Sequence, residues 1–278
     1  MDFLTVNISC SELQRDLLIA ELDVLGFSAI QELPEGLTAS LEGESFDEPA
    51  LKEAIARYEA MGAMSYTVEK VAKTNWNEAW EKNFDPVIVD DRVLVRAPFH
   101  DIKGDFDHEI LIMPKMSFGT GHHATTSQML SLQLDVDFKD KSVLDVGTGT
   151  GVLAIMALKL GASHVEATDI DDWCIENSLD NLSLNGFEGI RVEQGEIKNL
   201  TFDQTFDIVI ANINKNVLLA EIDNYVSLMN DEGQLFLSGF YEKDIPDLEQ
   251  AASKLGLKLI KSVSKDDWSA LLFNRIGD

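Results

Sequence analysis

The amino-acid sequence predicts an α/β protein with a doubly wound, mostly parallel sheet and a C-terminal antiparallel hairpin, preceded by a small ferredoxin-like α+β domain. Three patterns carry that prediction. Strand-length apolar runs alternate with helical segments from residue 142 onward, as in parallel strands joined by helical crossovers. The first 72 residues order their segments βαββαβ. The chain closes with two strand-like runs around the turn Lys265-Asp266-Asp267, a hairpin that inserts an antiparallel strand.

Residues 3–8 read as the first strand. Ser11 with Gln14 three positions on forms a capping box, which opens a helix running to Gly26. Residues 27–33 and 37–41 are strands around Pro34-Glu35-Gly36. Pro49 sits near the start of a helix carried through 51–60, and 64–71 is the last strand of a domain spanning 1–72. The linker, 73–86, contains TNWNEAWEKNFD, where Trp76, Trp80 and Phe84 share one face of a short amphipathic helix and are expected to pack against a neighbouring domain. The larger domain, 87–278, opens with short strands at 87–89, 93–97 and 110–113. Strands at 142–146, 164–169, 190–194, 206–211, 233–238, 257–263 and 268–273 follow. Helices fall at about 151–160, 171–185, 214–229 and 243–255.

Composition narrows the function. The 278 residues are 45% hydrophobic and carry 22 Lys plus Arg against 49 Asp plus Glu, a net charge of -27. This is a globular composition with a core large enough to need no disulfides, which excludes disorder and collagen-like fibres. The acid excess is spread through the chain, -11 over residues 1–100 and -16 over the remainder. Such a surface repels phosphate backbones and attracts cationic partners, so a basic protein is expected as substrate and direct nucleic-acid contact is not. Cys10 and Cys174 are too few for a disulfide framework or a multi-cysteine zinc site. The absence of a basic segment leading into an apolar run at the N-terminus, and of any membrane-length apolar stretch, points to a cytoplasmic protein.

The densest chemical signal is SVLDVGTGTG at 142–151, an apolar strand entering a three-glycine turn and then a helix. Glycines let backbone amides approach a ligand at a helix N-terminus because no Cβ intervenes. A dinucleotide fingerprint starting at Gly147 requires Gly or Ala at 152, where Val152 stands. The observed GxGxG, with Asp145 before it, favours an adenosine ligand without a pyrophosphate. Asp169 ends the next strand, placed to accept hydrogen bonds from ribose hydroxyls, while Asp171 is suited to cap the following helix. Asn212 ends the fourth strand, where its amide oxygen either holds an amine or caps a helix. Upstream, MSFGTGHHATTSQML brings Thr125 and Thr126 to a second glycine loop, for capping or contact with a carboxylate or amine. His122 and His123 there lack any metal-ligand spacing, so no metal is expected.

Together these residues resemble the bacterial ribosomal protein L-eleven methyltransferase family (PrmA). The matching motifs are Phe118-Gly119-Thr120-Gly121 followed by His123 and Thr125-Thr126, the turn with Asp145, Gly147, Gly149 and Gly151, and Ala211-Asn212-Ile213. The likeness covers essentially the whole chain. It implies a Rossmann-like S-adenosylmethionine domain that trimethylates amino groups, on lysine side chains and the N-terminus, of a large-subunit ribosomal protein. It places cofactor contacts at Thr126, Gly147, Asp169 and Asn212, with Asp145 and Gly149 in the same turn, and the catalytic role at Asn212. Departures are His122 and Ala124, where the family usually has Thr and Pro, and the polar pair Asn214-Lys215. For such chemistry a lysine amine must lose a proton, a cost of about 4.6 kcal/mol at pH 7 from a pKa of ~10.4. With no evident general base, proton loss to water before an in-line displacement is expected. The alternatives are a glutamine or nucleobase amino-methyltransferase, whose NPPY motif is absent at Asn212-Ile213-Asn214-Lys215, and a non-catalytic ribosome-assembly module.

Overall fold

A computed structural model describes residues 3–42, 46–71, 85–115 and 117–276. The chain divides into two compact units, 1–83 and 84–278. The expected linker helix, with Trp76, Trp80 and Phe84, lies outside the described residues.

The first unit contains β1 (Phe3–Ser9), α1 (Glu12–Val24), β2 (Ser28–Leu33), β3 (Gly36–Glu42), α2 (Glu48–Ala56) and β4 (Ser65–Val71). Its strands pair antiparallel in the order β2-β3-β1-β4, the ferredoxin-like arrangement that the βαββαβ pattern predicts. The capping box forms: the Ser11 amide donates to Gln14 Oε1 at 3.0 Å. Helix α2 begins earlier than its apolar pattern suggests, because Asp47 accepts a hydrogen bond from the Ala50 amide and Pro49 occupies the first turn. Val6, Leu18, Leu22, Leu37 and Leu51 are fully buried between sheet and helices, each contributing about 1.5–3 kcal/mol of burial.

The second unit opens with β5 (Val87–Val89), β6 (Val93–Arg96) and β7 (His108–Leu111), which form a separate three-stranded sheet. Helix α3 (Ala124–Gln133) follows. The main sheet then takes in β8 (Ser142–Val146), β9 (His164–Asp169), β10 (Arg191–Gln194), β11 (Phe206–Asn212), β12 (Met229–Tyr241), β13 (Leu257–Lys265) and β14 (Trp268–Arg275). Its helices are α4 (Val152–Lys159), α5 (Asp172–Leu184), α6 (Lys215–Ser227) and α7 (Ile245–Lys254). The strand order is β10-β9-β8-β11-β12-β14-β13, with every strand running the same way except β14, which is antiparallel to both of its neighbours. The hairpin turn between them has Asp266 and Asp267 at φ of 52° and 64°, the left-handed pair a two-residue hairpin requires. Two apolar clusters sandwich the sheet. Along β11, Ile208 and Ile210 face one and Val209 and Ala211 the other, the period-two alternation of a strand buried on both sides.

No helix among the described residues is long and apolar enough to cross a membrane.

Candidate functional site

Sheet topology fixes where the motifs meet. The chain leaves β8 for β9 and β10, then returns to place β11 on the other side of β8, and a crevice opens at the carboxyl ends of strands flanking such a reversal. Val146 pairs with Thr168 on one side and Ala211 on the other, so Gly147, Asp169 and Asn212, each one residue further on, stand side by side. All three line a pocket of about 600 Å³, together with Gly149.

The glycine turn is shaped for close approach. Gly147 and Gly149 have φ of 70° and 56°. A Cβ at Gly147 would lie 2.4 Å from Ile213 Cγ2, and one at Gly149 would lie 2.3 Å from the Phe118 carbonyl oxygen. The second contact shows that the two glycine loops interlock. The Thr150 amide donates to Phe118 O at 2.9 Å and its hydroxyl to Gly119 O at 2.6 Å. Asp145 lies behind the turn rather than in the pocket lining. It is buried, accepts from the Thr148 hydroxyl at 2.7 Å, and burial pushes its pKa up to about 7, with the nearby Asp169 charge adding to the shift.

Asp169 is buried at the pocket wall. One carboxylate oxygen accepts from the Gly149 amide at 2.9 Å and the other from the Asp171 amide at 3.2 Å, which fixes the carboxylate across the end of the glycine turn. Asp171 occupies the cap position of α5 but makes no side-chain cap hydrogen bond. Cys174 also lines the pocket, and burial pushes its thiol up, so it presents a neutral surface there.

The alternatives for Asn212 separate cleanly. Asn214, not Asn212, caps α6, its Oδ1 accepting from the Val217 amide at 3.2 Å. Asn212 Oδ1 is buried, and no hydrogen-bond donor among the described residues reaches it. The turn carrying it is seated against β12: the Ile213 amide donates to Ser238 O at 3.1 Å, and Gly239 (φ 97°) stands where a Cβ would fall 2.1 Å from Ile213 O.

The upstream loop contributes differently from its motif. His123 is the cap of α3, accepting from the Thr125 amide, and His122 pairs with Thr120 Oγ1 at 3.1 Å. Thr125 lines the pocket. Thr126 does not; it is fully buried beside it, with its hydroxyl unpartnered among the described residues.

An aromatic wall completes the pocket. The His123 ring lies 5.3 Å from that of Phe118 and 4.6 Å from that of Trp268, and Trp268 lies 4.3 Å from Tyr241. Phe118 and Trp173, both lining residues, are each 53% exposed. Trp268 was not singled out from the sequence. Because β14 runs antiparallel to β12, its first residue necessarily falls at the carboxyl end of the parallel strands, which is the signal the predicted hairpin offered.

The sequence profile of the family described as ribosomal protein L11 methyltransferase (PrmA) matches residues 11–276. The ribosomal protein L11 methyltransferase of Phocaeicola vulgatus is 42% identical over 278 residues, covering 98% of this chain and 99% of that one. Its counterpart in Porphyromonas gingivalis is 46% identical over 263 residues, 93% and 90% of the respective chains. Among solved structures, ribosomal protein L11 methylase from Lactobacillus delbrueckii subsp. bulgaricus superposes with a TM-score of 0.65 at 30% identity, over 69% of this chain and 100% of that one.

Proposed function

This chain belongs to the ribosomal protein L11 methyltransferase (PrmA) family, and from that premise we propose that it methylates lysine side-chain and N-terminal amino groups of ribosomal protein L-eleven. It is an S-adenosylmethionine-dependent methyltransferase. The observation that carries the reading of the site is the orphaned, buried Asn212 Oδ1 beside a glycine cradle that a Cβ would fill. An unsatisfied buried acceptor costs about 1–3 kcal/mol, which an incoming N–H donor offsets.

The residues fit the cofactor. Gly147 and Gly149 would admit it to the main chain, and Asp169, held by two amides, keeps lone pairs for its ribose hydroxyls. Asp145 acts through the Thr148 hydroxyl to shape the turn, and Thr126, buried outside the lining, makes no direct contact in this reading. Bound there, S-adenosylmethionine supplies an electrophilic methyl group on a sulfonium sulfur. Asn212 Oδ1 then accepts an N–H of the neutral amine and aims its lone pair, while the proton has already left to water. Phe118 and Trp268, with His123 packed between them, would narrow the approach to the amine, and the Phe118 and Trp268 rings would stabilise the cation that each transfer produces. Catalysis here is chiefly orientation.

Residues 1–72 would recognise the protein substrate. The pocket-lining residues span 117–268, all in the second unit, while the first has its own sheet and core. Its acid excess suits a basic ribosomal protein in the cytoplasm. The test is transfer from radiolabelled S-adenosylmethionine to purified L-eleven, with mass spectrometry of the product. Asn212→Ala should lower the single-turnover rate by at least ten-fold while changing acceptor affinity less. An unchanged rate would leave Asn212 without a catalytic role, and the absence of label in L-eleven with wild-type protein would refute the substrate.

A further inference from the structure

Lys215 is an unexpected residue for its position. It opens α6, three residues after Asn212, in a first turn that contains no acidic side chain, where the positive end of the helix dipole disfavours a cation. Its partners lie on another element. Nζ donates to Asp244 Oδ1 and to Asp247 Oδ2, both at 2.7 Å. The Lys215 and Asp244 side chains are 26% and 12% exposed, whereas Asp247 is 61% exposed.

Asp244 does more than neutralise the lysine. Its second oxygen accepts from the Tyr241 amide at 3.3 Å, so one carboxylate joins the start of α6 to the end of β12. Tyr241 in turn packs on Trp268, and the Glu242 amide donates to Asp267 O at 2.8 Å, tying the same corner to the β13–β14 turn. From the opposite side, Gln128 of α3 donates to Trp268 O at 2.9 Å. The aromatic wall is therefore anchored at α3, and the amine-accepting turn is anchored to the wall through Lys215 and Asp244.

We propose that Lys215 and Asp244 are positioning residues, whose ion pair sets where the Asn212-Ile213-Asn214 turn stands relative to Tyr241 and Trp268. This rests on the reading of Asn212 as the amine acceptor. Without the pair, α6 remains capped by Asn214, but its first residue is released from the corner that carries the wall. The carbonyl oxygen and the rings then no longer present the amine at one fixed distance from the cofactor, and misplacement by an ångström is costly for an in-line transfer. The cofactor cradle, built from β8 and β9, keeps its own hydrogen bonds, those of the Asp169 carboxylate to the Gly149 and Asp171 amides.

The test compares full-length wild-type, Lys215→Met, Lys215→Arg, Asp244→Asn, Asp247→Asn and the Lys215→Met/Asp244→Asn double variant. Lys215→Met and Asp244→Asn should each slow single-turnover methyl transfer to L-eleven by ten-fold or more, with S-adenosylmethionine affinity by calorimetry held within two-fold. Lys215→Arg should restore the rate to within a few-fold. The double variant should be no slower than either single one, because the pair acts as a unit, and Asp247→Asn should cost less than Asp244→Asn. A role confined to holding α6 on α7 would lower the melting midpoint and leave the rate of folded enzyme unchanged, and that result overturns the proposal. So do effects that multiply in the double variant. If Lys215→Met does not fold, the near-isosteric Asp244→Asn decides. Fluorotryptophan NMR separates this proposal from the substrate assignment. With the Trp268 resonance assigned from Trp268→Phe, Lys215→Met should move it further than that of Trp173, which lines the pocket from the start of α5, whether or not L-eleven accepts methyl groups. An unmoved Trp268 resonance overturns the positioning role, and wild-type protein that labels no L-eleven overturns only the substrate.

Discussion

The buried carboxyl of Asp145 should make this protein less stable as pH rises through neutrality. In the folded chain its pKa is pushed up to about 7 by burial, against 3.8 for the ordinary side chain. Between those values the native state holds a proton that the unfolded state has released, so the stability conferred is complete below about pH 4, falls as pH rises, and is lost above about pH 7. From pH 5 to pH 8 the loss spans about two pKa units, or about 3 kcal/mol at 1.36 kcal/mol per unit. Asp145→Asn keeps an acceptor for the Thr148 hydroxyl and removes the titration. The assay is urea unfolding of the second unit, followed in wild-type and Asp145→Asn protein at pH 5 and pH 8. Wild type should lose about 3 kcal/mol more than the variant over that interval, the subtraction removing the self-repulsion that a chain of net charge -27 adds to both. Equal pH dependence in the two proteins would mean that Asp145 ionises near its ordinary range, and the account of its burial would fail.

Three further outcomes are expected. Asp169→Ala should weaken S-adenosylmethionine binding by ten-fold or more, since it removes charge-assisted acceptors worth about 1.5–3 kcal/mol and frees the Gly149 amide; calorimetry measures this. Gly149→Ala should destabilise the second unit by about 2 kcal/mol or more and abolish cofactor binding. A Cβ there meets the Phe118 carbonyl at 2.3 Å on a left-handed backbone, and thermal melting checks it against a Gly186→Ala control, which has the same φ sign but nothing within 4 Å. A protein beginning at residue 84 should keep cofactor affinity within a few-fold and lose methylation of intact L-eleven, which a filter-binding assay with labelled cofactor would show. Full-rate methylation by that shortened protein would remove the recognition role from the first unit.

What could be read from the sequence divides along a physical line. Gly147, Gly149 and Asp169 were legible because each belongs to a local pattern: an apolar strand, a turn that only glycine tolerates, and an acid at the end of the next strand. Asn212 was half legible. Spacing places an asparagine at the end of β11, but Asn214 stands two residues on, and only the observed hydrogen bonds show which one caps α6 and which is left with a bare oxygen. Strand β12 is longer than its apolar run, because Asn230, Asp231 and Glu232 break that run while the backbone continues as strand. Trp268, Gly239 and the docking of Phe118 on the glycine turn depend on pairings between distant segments, and no short window contains them.

That division has a functional meaning. The groups proposed to hold the cofactor sit at the ends of parallel strands and are specified by local motifs, whereas the groups proposed to face the acceptor amine depend also on antiparallel pairing and on the irregularity between Ser238 and Phe240. Gly239 lies within that irregularity, with Ile213 O filling the space a side chain would take, so the turn carrying Asn212 is seated between the β12–β14 irregularity and Gly147, whose missing Cβ makes room for Ile213 Cγ2. On the proposed roles, changes in the corner formed by Gly239, Tyr241, Asp244 and Trp268 should alter how steadily the amine is presented, while Asp169, held by the Gly149 and Asp171 amides, should continue to bind the same cofactor.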